Sequence, residues 1–155
     1  MPSSISRRTL LTRAAAVALG WSGAARLLGA SAPKTPMTVY KDPGCGCCEK
    51  WVSHMRGAGF ELSVQNTTNM DPIKRRYGVP AALASCHTAV SRGYVIEGHV
   101  PADLVHKLLK EKPKVLGLAV PGMVTGSPGM EGANPQPYQV VTFDAAGRTT
   151  VYARR

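Results

Sequence analysis

The sequence predicts a single α/β domain that ends in a C-terminal β-hairpin extension. Strand-like and helix-like runs alternate along residues 33–155, which is typical of the α/β class. A turn that holds three cysteines separates the first strand-like run from the first helix-like run. The length of residues 33–155 fits one domain with its own hydrophobic core.

The first 32 residues are predicted to be an export signal and not part of the folded domain. A twin-arginine pair at residues 7–8 precedes a modestly apolar stretch over residues 14–28, and the Ala-Ser-Ala of residues 30–32 fits a cleavage site. The apolar stretch contains Arg26 and is shorter than the about 20 residues that span a bilayer. We therefore predict a cleaved, twin-arginine signal at 1–32, a mature domain at 33–155, a periplasmic location and no stable membrane anchor.

The basic charge of the chain does not indicate a nucleic-acid partner. The formal net charge is +10, and four arginines of the predicted signal account for part of it. The runs of basic residues at 74–76 and 107–114 are typical of solvated helix faces. The sequence has no nucleic-acid-binding motif and no basic surface interleaved with aromatic residues. We therefore expect no binding to nucleic acid.

The first three elements form a β-α-β unit. Residues 37–41 are predicted to be a strand, residues 48–58 a helix, and residues 60–64 an alternating strand. Gly57 and Gly59 end the helix, since glycine commonly follows the last helical residue. The cysteine turn therefore lies between the first strand and the first helix.

A short helix, a hairpin and a longer helix follow. Residues 71–77 begin with Asp-Pro, which favours the first turn of a helix. Residues 88–91 and 94–99 flank an Arg-Gly pair and are predicted to form a β-hairpin. Residues 101–112 are predicted to form an amphipathic helix. Its apolar positions recur at helical spacing and are Leu104, Val105, Leu108 and Leu109.

Two alternating runs, residues 138–143 and 148–152, complete the chain as a hairpin that extends the sheet. The order β-α-β, helix, β-hairpin, helix is the layout of a thioredoxin-like domain.

An ordinary thioredoxin has two active-site cysteines that face a cis-proline directly before a strand. Here Cys86 and His87 stand before that strand and Pro80 lies further upstream. The layout thus predicts the fold, while this departure weakens the case for ordinary thiol exchange.

The cysteine turn contains Cys45, Cys47 and Cys48 within four residues. Thiolates that converge on one point form a redox dithiol, a disulfide, or a set of soft ligands for copper(I), zinc or an iron-sulfur centre. At the start of a helix, free N–H groups and the helix dipole favour the thiolate of Cys45. A dithiol needs only two sulfurs, so the third sulfur favours metal binding. Because a thiolate can bridge two soft ions, these sulfurs can hold more than one copper(I).

The fourth cysteine, Cys86, is followed by His87. A thiolate beside an imidazole is a candidate ligand pair for copper or zinc, and the other interpretation is a hydrogen-bonded histidine beside a buried thiol. Four cysteines in an exported protein also allow two structural disulfides. We disfavour that alternative, because the adjacent Cys47 and Cys48 pair poorly with each other and one loop holds three sulfurs.

Two methionines and one histidine add further candidate ligands. Met123 and Met130 lie in a Gly/Pro-rich loop, outside any apolar periodic run. A thioether is a soft copper(I) ligand that forms no disulfide, although methionine also fills gaps in cores. His99, at the end of a predicted strand, is a candidate ligand or a residue that orients a ligand.

Four segments closely resemble the CopG-type copper-resistance proteins, a metal-binding family catalogued as domain of unknown function 411. They are residues 40–51 with the CxCC motif, residues 85–90 with SCHTA, residues 94–101, and residues 117–123 with GLAVPGM. The resemblance extends over about residues 37–152. It implies a thioredoxin-like, periplasmic, copper-binding domain that takes part in copper handling, including interconversion of copper(I) and copper(II). The sulfur ligands that it implies are Cys45, Cys47, Cys48 and Cys86.

The sequence thus predicts a periplasmic copper-binding protein of copper resistance, with copper ions and a copper-export or copper-chaperone protein as partners. The sequence identifies no catalytic residue. A thioredoxin-like thiol-disulfide oxidoreductase is the alternative function, followed by a [2Fe-2S] electron carrier, and zinc is the alternative metal. The candidate metal ligands are Cys45, Cys47, Cys48, Cys86, His87, Met123, Met130 and His99.

Overall fold

The computed structural model describes residues 33–155, and the predicted export signal at residues 1–32 lies outside the described residues. The elements in chain order are β1 (Thr35–Lys41), α1 (Gly46–Gly57), β2 (Phe60–Asn66), α2 (Asp71–Arg76), β3 (His87–Ser91), β4 (Tyr94–Glu97), α3 (Ala102–Glu111), β5 (Gly117–Ala119), β6 (Gln139–Phe143) and β7 (Thr149–Arg154). A 3₁₀ turn, Ala81–Leu83, precedes β3. None of the helices in this part of the chain has the length and apolar character needed to cross a membrane.

All the strands belong to one sheet with the order β2-β1-β3-β4-β5-β6-β7. The β1/β2 and β4/β5 pairs are parallel, and the other neighbouring strands are antiparallel. The sheet and its helices confirm the predicted α/β class, and β6 and β7 are the predicted C-terminal hairpin. The thioredoxin-like assignment stays a prediction, which the β2-β1-β3-β4 portion of the sheet favours.

Helices α1 and α3 pack on one face of the sheet, and the segment around the 3₁₀ turn packs on the other. The first cluster joins both helices to the sheet through Val39, Trp51, Val52, Met55, Ile96, Leu104, Val105 and Leu108. The second cluster contains Leu83, Val95, Ala119 and Phe143. Each large apolar side chain buried in this way contributes about 1.5–3 kcal/mol. The predicted amphipathic helix is confirmed, because all four of its apolar stripe residues are buried in α3.

Many element bounds differ from the prediction by one or two residues, and one strand was not predicted. Helix α1 begins at Gly46 and not at residue 48, and β4 ends at Glu97, so His99 follows the strand. Strand β5 was not predicted, because three residues carry no periodic pattern. It forms through pairing with β4 and β6. A Cβ at Gly117 would lie 1.9 Å from the Val95 carbonyl oxygen, so only glycine permits this close approach.

Candidate metal centre

Strand pairing brings the two cysteine-bearing segments to the same end of the sheet. Strand β1 ends at Lys41 and β3 begins at His87, and these two residues are partners across the antiparallel β1/β3 pair. The turn that follows β1 and the residue that precedes β3 must therefore lie close together. The first segment carries Cys45, Cys47 and Cys48, and the second carries Cys86.

Local hydrogen bonds hold the cysteine turn without using its sulfurs. Cys45 is the N-cap of α1, with an extended backbone conformation. Its N–H donates to the Asp42 carbonyl oxygen at 3.1 Å, and the Gly44 N–H donates to Asp42 Oδ1 at 2.8 Å. Asp42 therefore closes the turn from β1 into α1, in the way that Asp commonly forms turns with its own backbone.

Lys41 joins β1 to α1 beneath this turn. Its side chain is fully buried, which is rare for lysine unless it is paired. Its Nζ donates to the Asp42 carbonyl oxygen at 3.0 Å and lies 2.7 Å from Glu49 Oε1 on α1. Lys41 was not predicted to belong to the site. The sequence feature that could have identified it is its position two residues after the buried Val39, on the inward-facing side of the strand.

The four cysteine sulfurs converge, each lying within 4.8 Å of the others. Cys45 and Cys48 form a disulfide, while Cys47 and Cys86 are free. The Cys47 Sγ lies 3.5 Å from Cys45 Sγ and 3.9 Å from Cys86 Sγ. This arrangement contradicts the alternative of two structural disulfides. Reduction of the one disulfide gives a cluster of four thiols.

Cys86 also belongs to a second group, with His87 and His99. The Cys86 Sγ lies 3.3 Å from His87 Nδ1 and 3.1 Å from His99 Nε2. The other ring nitrogen of His99, Nδ1, lies 2.8 Å from the Pro128 carbonyl oxygen. A carbonyl only accepts, so Nδ1 of the neutral ring carries the proton and Nε2 presents its lone pair to the Cys86 thiol.

Burial determines the protonation of this second group. Burial, together with the neighbouring Cys47, raises the pKa of Cys86 to about 12. Burial lowers the pKa of His87 well below its ordinary value, and His99 adds to this lowering. Burial also lowers the pKa of His99, although the hydrogen bond to Pro128 opposes the shift. At neutral pH the group is thus a thiol with two neutral imidazoles, the form of histidine that binds metals.

His87 has a ring nitrogen without a partner. The residue is fully buried, and its Nε2 finds no hydrogen bond among residues 33–155. Buried polar atoms are rarely left unpaired, so this atom requires an explanation. The His87 ring centroid lies 4.4 Å from that of Trp51, whose Nε1 donates to the Val100 carbonyl oxygen at 2.9 Å. The nitrogen that faces Cys86 is the other one, Nδ1, at 3.3 Å from Sγ, so Nδ1 is the His87 atom placed to bind a metal together with Cys86 and His99.

A buried carboxylate holds the backbone next to Cys86. The Oε1 of the fully buried Glu97 accepts from the Ser85 N–H at 2.6 Å and from Lys74 Nζ at 2.5 Å. Its Oε2 accepts from the Thr88 hydroxyl at 2.7 Å. Burial raises the pKa of Glu97, while Lys74 opposes the rise. The Lys74 side chain is only 12 % exposed, so the prediction of a solvated face is wrong for this residue.

The two candidate methionines lie in different environments. Met130 is half-buried and lines an open cavity of about 520 Å³ that Cys47 also lines. Met123 is 58 % exposed and does not line this cavity. The structure therefore brings Met130, and not Met123, into the same cavity as a cysteine. The other candidates that it brings together are Cys45, Cys47, Cys48, Cys86, His87 and His99.

Comparison with known proteins yields a family profile and two solved structures. The profile, described as "Protein of unknown function, DUF411", matches residues 83–130. The structures are titled "Copper resistance protein copG- Form 2" and "Copper resistance protein copG- Form 1". Each is 41 % identical to this chain, and the match covers 79 % of this chain and 98 % of the other, with TM-scores of 0.75 and 0.74. This chain belongs to the CopG copper-resistance family.

Membership in the CopG family confirms the resemblance predicted from the four sequence segments. No curated protein matches this chain. The match to the DUF411 profile contains Cys86, His87 and His99 but begins after the cysteine turn. Together with a cysteine cluster that could hold a metal ion, the CopG relatives support a copper-related function.

Proposed function

We propose that this protein binds copper(I) in a thiolate site made by Cys45, Cys47, Cys48 and Cys86, as part of copper resistance. The observation that carries the proposal is the convergence of the four sulfurs within 4.8 Å. Thiolates are soft ligands, which suit copper(I). Zinc also binds thiolates, but the titles of the solved relatives, copper resistance proteins, favour copper.

His87 and His99 extend the proposed site beyond the four sulfurs. Both contact Cys86, which belongs to the sulfur cluster as well as to the cysteine–histidine group. Because a thiolate can bridge two soft ions, Cys86 is able to join copper held by the cysteines to copper held by the imidazoles. The site therefore suits more than one copper ion per chain. The exposed Met123 is not part of the proposed ligand set.

The disulfide between Cys45 and Cys48 supports a redox activity at the same site. An external dithiol converts the disulfide into two thiols and is itself oxidised to a disulfide, and copper(I) then displaces the thiol protons. In the opposite direction, the two thiolates give one electron to each of two copper(II) ions, which forms the disulfide and two copper(I) ions. The reverse of this step, in which two copper(I) ions each give one electron to the disulfide and form two thiolates and two copper(II) ions, completes the interconversion of copper(I) and copper(II).

The proposed location is the periplasm, on the basis of the twin-arginine signal predicted at residues 1–32. Disulfides persist in that compartment, as the Cys45–Cys48 disulfide requires. The proposed protein partner is a periplasmic copper-export or copper-chaperone protein, which would deliver or accept copper(I).

Cys48→Ser is expected to reduce copper binding sharply. Wild-type protein that is exposed to copper, then reduced and purified without oxygen, should carry at least one copper per chain by elemental analysis. Loss of a residue that only orients a metal ligand typically lowers metal affinity by about 10- to 100-fold. Loss of a direct sulfur ligand should lower the copper affinity by at least as much. Ser53→Ala, an exposed change on the same helix, should keep the wild-type content. Unchanged copper in Cys48→Ser would count decisively against the site.

One observation favours a second function, thiol-disulfide exchange. The disulfide spans a CxxC spacing at the N-terminus of α1, where a Cys45 thiolate is stabilised. In metal-free protein, Cys45→Ser should then abolish the reduction of a small disulfide substrate, while Ser53→Ala should retain it. A metal-free wild type that reduces no disulfide would eliminate this function and leave copper binding untouched.

A further inference from the structure

Residues 124–131, which we call the cover segment, form a compact turn. The Ser127 N–H donates to the Val124 carbonyl oxygen at 3.1 Å, and the Met130 N–H donates to the Ser127 carbonyl oxygen at 2.8 Å. The Met130 carbonyl oxygen in turn accepts from the Gly126 N–H at 2.8 Å. The backbone of Met130 is therefore held from both sides.

The cover segment lies directly against the N-terminal part of α1. Gly129 has φ +86, and a Cβ at this position would lie 2.7 Å from the Cys47 carbonyl oxygen and 2.8 Å from the Trp51 amide nitrogen. Only glycine fits such a close approach in this backbone conformation. At the preceding residue, the Pro128 carbonyl oxygen accepts from His99 Nδ1 at 2.8 Å. The segment thus contacts both the helix that carries Cys47 and a histidine of the proposed site.

An open cavity of about 520 Å³ lies between α1 and the cover segment. It is lined by Gly46, Cys47, Lys50, Thr125, Gly129, Met130, Glu131 and Gly132. Of the four cysteines, Cys47 alone lines this cavity. A solute in the cavity therefore meets Cys47 before it meets the other sulfurs, and Met130 is the second soft group on the wall.

We propose that Cys47 and Met130 form a capture site that takes copper(I) from the cavity before it reaches the four-cysteine site. A thiolate and a thioether are both soft donors and make a two-ligand site for copper(I). Neither sulfur belongs to the Cys45–Cys48 disulfide, so the pair is available before and after that disulfide is reduced.

Transfer onward needs only an exchange of ligands. The Cys86 Sγ lies 3.9 Å from the Cys47 Sγ, so copper(I) can stay on Cys47 while Cys86 replaces Met130. The copper–Met130 bond breaks, a copper–Cys86 bond forms with release of the thiol proton, and no electron is transferred. This inference rests on the proposed copper(I) function and adds a loading route to it.

Met130→Leu is expected to slow copper(I) loading about tenfold without lowering the final copper content, because one soft ligand of the capture site is lost. Leucine keeps the size and apolar character of methionine but has no sulfur. In the experiment, anaerobically reduced protein is mixed with a copper(I)–bicinchoninate chelate, and the loss of the chelate's colour is followed by stopped flow. Met123→Leu is the matched control, since its side chain lies in the same loop but outside the cavity, and it should load at the wild-type rate.

The possible results separate the capture site from the proposed function. Equal loading rates for Met130→Leu and the wild type would overturn the capture site. A lower final copper content in Met130→Leu would also overturn it, because Met130 would then be a permanent ligand. A wild type that takes up no copper(I) would overturn the proposed function itself. The unfolding midpoint of each variant is measured, and Met130→Gln serves as the sulfur-free variant if leucine lowers that midpoint.

Discussion

Replacing Cys86 with serine is expected to lower the copper(I) affinity of the reduced protein by about 100-fold or more. Cys86 is shared by the four-sulfur cluster and the cysteine–histidine group. Serine places a hard hydroxyl oxygen where copper(I) prefers soft sulfur. The substitution therefore removes a ligand from both groups at once, which no other single cysteine substitution does.

Anaerobic competition with a copper(I) chelator of known affinity measures this effect. Ser53→Ala, an exposed change on α1, is the control, because it removes no sulfur and leaves the residues around Cys86 unchanged. This control should keep the wild-type affinity. A Cys86→Ser protein with wild-type affinity would show that Cys86 is a structural thiol and that the proposed ligand set is wrong.

Glu97→Leu is expected to destabilise the fold by about 3–5 kcal/mol, the range for removing one partner of a buried ion pair. Glu97 is fully buried and is the acceptor for Lys74, Ser85 and Thr88. Leucine would leave a mostly buried ammonium and two donors without their acceptor. Because the Ser85 N–H directly precedes Cys86, we expect the same variant to bind copper(I) more weakly as well.

Equilibrium unfolding in urea measures the change in the free energy of unfolding. Lys107→Met is the control, because the exposed pair of Lys107 and Glu111, 3.9 Å apart, should contribute less than about 1 kcal/mol. The double variant Lys74→Met/Glu97→Leu should be less destabilised than Glu97→Leu alone, since it removes both charges of the pair. A loss below about 1 kcal/mol in Glu97→Leu would mean that the carboxylate is not required to hold this part of the fold.

Local patterns in the sequence predicted most of the elements. The apolar stripe of α3 and the turn residues of the two hairpins depend on neighbours along the chain, and the structure confirms them. Strand β5 was not predicted, because its formation does not depend on neighbours along the chain. It consists of three residues whose extended conformation depends on pairing with β4 and β6.

Buried charged residues were the main omissions at the site. A lysine or glutamate in a sequence is expected to be exposed, because burial without a partner is costly. Glu97 and Lys74 are 23 residues apart, and their pairing cannot be read from either local segment. Lys41 was missed in the same way, since its burial depends on Asp42 and on Glu49 of the following helix.

Residue types and spacing were enough to predict soft-ligand chemistry between the first strand and the first helix, because both depend on residues that are close in the chain. They did not show which cysteines are bonded, or that Lys41 and Glu97 hold the two cysteine segments. Cys47 and Cys86 are 39 residues apart, and their sulfurs lie 3.9 Å from each other. That closeness depends on the register of β1 against β3, which only the packed sheet decides.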